Sequence, residues 1–148
     1  MPSELYIEVY KQHRAAQEKY VYFLLAAVGA AIALAVNQTQ GTKLAYSQIP
    51  LAIAVVLWAL SFFFGCKRLS YVQSTLYENA KLLRVQSGEH PLAGRDPQRI
   101  LAASEGIRTA MDSNSTWVSR FARWQFQSLV AGAVFYLGWH VFEMWLRK

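Results

Sequence analysis

Side chains able to do chemistry are few in this chain, and they lie far apart. His140 and Glu143 stand three residues apart inside the apolar stretch 126–146, so a helix there carries both on one face. A carboxylate in such surroundings is costly unless it faces water, a partner or an axis shared by several chains. Repeated around an axis, Glu143 and His140 would form a vestibule that draws cations, with Asn37 and Gln38 from the end of another apolar stretch contributing. Turned outward, Glu143 would simply sit among headgroups. A second group is Arg84, Arg95, Arg99 and Arg108, offset by Glu78, Glu89, Asp96, Glu105 and Asp112. In an oligomer these arginines could hold a polyanion through its phosphates, whereas singly each is a solvated charge. No metal cluster, phosphate loop or catalytic triad can be spelled from the rest, so neither metal, cofactor nor enzymatic activity is expected. A single cysteine, Cys66, excludes an intrachain disulfide and reads as a packed thiol. Asn114-Ser115-Thr116 matches a glycosylation acceptor but reads as a turn and helix start.

The elements that must position these groups are dominated by three apolar runs, 20–36, 49–66 and 126–146, in a chain that is 54% hydrophobic and 14% aromatic. A bilayer core of roughly 30 Å needs about 20 helical residues, and unpaired backbone groups are too costly there for open loops or sheet edges. The expected fold is therefore all-α, an integral membrane protein with three transmembrane helices at 20–37, 49–66 and 125–146. An N-terminal amphipathic helix occupies 1–19, and a cytoplasmic helical segment occupies 67–124. Basic residues set the orientation. Lys11, Arg14 and Lys19 precede the first run, Lys43 alone lies between the first two, and Lys67, Arg68, Lys81, Arg84, Arg95, Arg99, Arg108, Arg120 and Arg123 lie between the second and third. This places the N-terminus and the middle segment in the cytoplasm and the C-terminus outside, in the periplasm of a bacterial inner membrane; Arg147 and Lys148 count weakly against it. Glu4, Glu8 and Glu18 in the leading segment favour a retained span over a cleaved signal.

Leu5, Val9, His13, Ala16 and Tyr20 recur at helical spacing and form a stripe that runs into the first span. The stripe suits either a self-associating coiled coil that gates the molecule or a surface helix lying on its own protein. Pro50 suits the first turn of the second span, and Leu69, Val72, Leu76, Ala80 and Leu83 extend that helix. Residues 88–95 form a turn, Asp96 caps a new helix with Pro97 in its first turn, and Ile100, Ala103, Ile107 and Met111 form its buried face. Residues 112–116 read as a break before a last helix that begins near Trp117. Trp117 and Trp124 on one side, and Trp139 and Trp145 on the other, fit the aromatic belts of a bilayer. Small residues at Ala27, Ala31 and Ala35, and at Ser128 and Gly132, allow close helix packing, while Trp58, Phe62, Phe63 and Phe64 suit lipid.

Arg84 and His90, with five residues between them, resemble in spacing the ribonuclease motif of HEPN domains, which would imply a membrane-tethered RNase. In its plan, an N-terminal helix feeding a span and a basic cytoplasmic segment 67–123, the chain resembles the Hailong-type membrane effectors of bacterial anti-phage defence. That resemblance implies a homo-oligomeric, tetrameric ion channel with a coiled coil, antiviral in role. It implies control by a nucleotide or oligonucleotide, with the cytoplasmic enzyme that makes the signal as a partner. The expected function is a gated, membrane-depolarising pore. The alternative is a non-conducting membrane anchor or scaffold subunit for a cytoplasmic partner, docked on Ile100, Ile107 and Met111 if these are unburied.

Overall fold

The computed structural model describes residues 2–40, 46–91 and 94–146, with residues 2–7, 10, 13 and 146 described by backbone alone. Leu5 and His13 of the expected gating stripe therefore lie outside the residues whose side chains are described, and Lys43, Arg147 and Lys148 lie outside the described residues altogether. The described chain is all-helical: α1 (Pro2–Gln38), a 3-10 turn (Tyr46–Gln48), α2 (Ile49–Gln86) and α3 (Pro97–Leu146). It divides into two units, the first Met1–Gly65 with Gln125–Lys148, the second Cys66–Trp124. Two stretches, Arg14–Gln38 and Tyr46–Gln86, are long and apolar enough to cross a membrane. The run in α3 is less apolar because Gln127, His140 and Glu143 interrupt it.

In the first unit the buried positions recur at spacings of three and four. Val21, Leu24, Val28 and Ala35 of α1 and Leu51, Ala54, Trp58 and Ser61 of α2 are buried; Val28, Ala35, Leu51 and Trp58 form one cluster, against which Leu129, Tyr136 and Trp139 of α3 pack with Ala31. Trp58 does not face lipid, as its aromatic neighbours suggested, but is 4% exposed. Its indole donates from Nε1 to the Leu129 carbonyl at 3.3 Å and stacks at a tilt on Tyr136, 5.6 Å between centroids. The reason is Gly132, where a Cβ would lie 2.5 Å from that Nε1 and 3.1 Å from the Ala54 carbonyl. The missing side chain leaves the slot that the indole fills. Phe62 and Phe63 remain exposed.

The second unit is built on a smaller core, in which Val85 and Ile107 are buried with Leu82, Ile100, Ala103 and Met111 around them. Leu83, expected on the inner stripe, is 61% exposed, and Leu82 and Val85 take its place. α2 ends in a Schellman motif: Glu89 N donates to Arg84 O at 3.1 Å and Gly88 N to Val85 O at 3.2 Å, with Gly88 left-handed at φ 73°. α3 starts on Asp96, whose Oδ1 accepts from Gln98 N at 3.0 Å. It then continues for 50 residues, so the expected break at 112–116 does not occur. These polar side chains find partners without leaving the helix: Thr116 Oγ1 donates to Asp112 O at 3.1 Å, and Asn114 Nδ2 to Ser74 Oγ at 3.2 Å. Asn114 is thus a helix-packing residue, and the third apolar run has no separate helix start at Trp117.

The slot makes a direct prediction. Gly132→Val should cost about 1–3 kcal/mol through overpacking against Trp58. Gly29→Ala, whose Cβ would meet nothing within 4 Å, should change stability by less than about 1 kcal/mol. Thermal unfolding in a neutral detergent compares the two.

Candidate functional site

Three of the four vestibule residues come together. Gln38 at the end of α1, and His140 and Glu143 of α3, line one recess of about 210 Å³ with Trp139 and Met144. α3 brings His140 and Glu143 to one side by its i, i+3 repeat, and Gln38 is fixed by Tyr136, whose hydroxyl donates to its Oε1 at 2.8 Å. Trp139 stands between Tyr136 and His140, with ring centroids 5.9 and 6.3 Å away. Its buried Nε1 has no hydrogen-bond partner among the described residues. Trp139 is partly buried and forms part of the wall of the recess. Asn37 is exposed and does not line the recess. Carboxylate, imidazole and amide groups in one pocket can hold a hydrated cation or a short file of water.

Farther along α3, where it meets α2, lies a polar contact that sequence reasoning missed. Ser61 Oγ donates to the Gln125 carbonyl at 2.8 Å. The Gln125 side chain is fully buried, and neither Oε1 nor Nε2 has a partner among the described residues. A Cβ on Gly65 would lie 2.7 Å from that Nε2. The only signal in sequence was a glutamine at the edge of an apolar run, which reads equally well as a boundary residue. Of the small residues singled out, Ala35 and Gly132 are buried, and Ala27, Ala31 and Ser128 are half-buried.

The four arginines do not form one site. Arg99 lines a recess of about 580 Å³ with Lys81 and His90 over Val85, Ala103 and Ile107. Arg108 lines a different recess of about 570 Å³ with Gln86, Ile100 and Ser104. Arg84 and Arg95 are exposed and line neither. Arg99 is also held by Asp96, Nε to Oδ2 3.5 Å. The convergence of Lys81 and His90 on Arg99 was not legible, since His90 lies in the turn and the other two on different helices. Arg84 does not line the recess that His90 lines. Of the N-terminal stripe, Val9, Ala16 and Tyr20 are exposed. Cys66 is exposed, not packed.

No family model, curated protein or solved structure matches the chain.

Two unpartnered amide atoms in a buried site are destabilising, so Gln125→Met, which keeps the length and removes both, should raise stability by about 1–2 kcal/mol. Gly65→Ala should lower it. Unfolding midpoints of the two variants read the effect, and a destabilised Gln125→Met would mean that the amide is satisfied in the protein as isolated.

Proposed function

We propose that the chain is the subunit of a homo-oligomeric, gated, cation-conducting pore in a bacterial inner membrane, with three spans and the N-terminus in the cytoplasm. The observation that carries this reading is the recess of Gln38, His140 and Glu143 beside helix stretches that expose Val134, Leu137 and Val141. A carboxylate in a lipid-facing segment costs roughly 3 kcal/mol at mid-membrane, less near its edge, and is kept where it faces an aqueous path. Here Glu143 is half-buried beside two other polar groups rather than spread on an apolar face. α3 would supply the third span, its polar residues facing the path and Val134, Leu137 and Val141 facing lipid, all three being exposed in the single chain. The uncovered Val9 and Tyr20 suit a gating helix that packs against neighbouring copies, in a tetramer on the plan the sequence resembles. Arg99, Lys81 and His90 form the recess best suited to an anionic signal such as a nucleotide or oligonucleotide. Released, such a pore would depolarise the cell, which is the role of an anti-phage effector.

A scaffold or anchor is the second reading, and one observation favours it. Ile107 is buried, and Ile100 and Met111 are half-buried in the core, so they cannot dock a partner, but Tyr77, Leu83 and Leu101 are exposed, Leu101 by 72%. Currents across a planar bilayer containing the purified chain separate the readings. A pore with Glu143 at its mouth gives cation-selective current whose selectivity falls in Glu143→Gln. Absence of current, or unchanged selectivity in the variant, would remove the acidic vestibule from the account.

A further inference from the structure

We propose that the aromatic and basic cluster formed by residues 67–71 of α2 and 117–124 of α3 binds the phosphate of an anionic phospholipid headgroup. Trp117, Arg120, Phe121 and Trp124 recur at three, four and seven residues and share one face of α3. Tyr71 of α2 lies nearly parallel to both Trp117 and Phe121, with centroids 6.2 and 5.6 Å away and interplanar angles of 17° and 22°. Trp124 closes the row edge-on to Phe121 at 5.6 Å. The Arg120 guanidinium carbon sits 5.2 Å from the Trp117 ring centroid. A guanidinium held against a ring keeps its N–H groups free to donate sideways to a phosphate, bidentate if two oxygens are offered.

Charge favours the same ligand. Lys67 and Arg68 precede Tyr71 by four and three residues and so lie on its side of α2, and no carboxylate occurs anywhere in 66–77 or 113–124. The cluster is therefore cationic without a built-in acidic partner for Arg120. Both segments directly adjoin apolar sequence, Lys67 two residues after Gly65 and Trp124 two before Phe126. A soluble anion would use the cations and leave the rings idle. A phospholipid uses both: phosphate on Arg120 and Lys67, with the glycerol and first methylenes against Trp124 and Phe121. The site is independent of the pore reading, since an anchor would have it equally.

The test is lipid retention by the full chain purified in a neutral detergent, measured by native mass spectrometry and by the thermal unfolding midpoint with added phosphatidylglycerol or phosphatidylcholine. The expected result is retention of phosphatidylglycerol and an upward shift of the midpoint that phosphatidylcholine does not give. Arg120→Ala should weaken retention about ten-fold, the loss of one charge-assisted contact, while Arg108→Ala, with the same change in net charge, should leave it unaltered. Arg120→Lys, which keeps the charge but not the planar fork, should fall between them and guards against misfolding of the alanine variant. Equal response to the two lipids would overturn the proposal. So would equal loss in Arg120→Ala and Arg108→Ala, or full reproduction of the shift by water-soluble glycerol phosphate.

Discussion

The seating of Trp58 in the slot left by Gly132 is the contact on which the first unit depends. It brings α2 against α3 closely enough for an indole N–H to reach a helix carbonyl, at Leu129, 71 residues away. In a bilayer there would be no hydrophobic drive to bring helices together, and association there would rest on close contact and on hydrogen bonds formed in a medium that offers no others. Trp58 supplies both. Around it Val28, Ala35 and Leu51 complete the packing, and Tyr136 and Trp139 extend it along α3 toward the polar recess. The position of Glu143 is thus a consequence of how Trp58 is seated.

The first unit carries an uneven distribution of polar cost. Toward one end Ser61 is satisfied by the Gln125 carbonyl, but the Gln125 amide is not. At the other, Tyr136 satisfies Gln38, whereas the Trp139 indole is left without a partner. Buried polar atoms of this kind are uncommon because each forfeits its hydration without replacement. A protein that only needed to hold three helices together would gain by replacing both with apolar groups. On the proposed reading, their presence at the two ends of one unit would serve a path for water or ions at some cost in stability.

Helical period was the most legible property. The cap at Asp96, the turn after α2 and the face of Ile100, Ala103 and Ile107 are local patterns, fixed by neighbours within a few residues. The stripe through Val9, Ala16 and Tyr20, by contrast, is exposed, and the buried side of α1 runs through Val21, Leu24 and Val28. What failed depended on contacts between helices. Trp58 reads like Phe62 and Phe63 in sequence, and only a glycine 74 positions away makes it different. The polar stretch 112–116 reads as a break until Ser74 of another helix meets Asn114. The site was legible to the same degree: Glu143 and His140 share a helix and were paired by spacing, Gln38 joined them from the end of α1, but Lys81, His90 and Arg99 meet only through tertiary structure.

The central claim, that the molecule conducts, is tested most directly by membrane potential, read with a voltage-sensitive dye in bacteria induced to express either the full chain or the chain lacking residues 1–19. The account predicts that at least one of the two collapses the potential at expression levels where an unrelated three-span protein does not, and the difference between them gives the sense of the gate. An unchanged potential with both proteins demonstrably inserted would contradict it and leave the anchor.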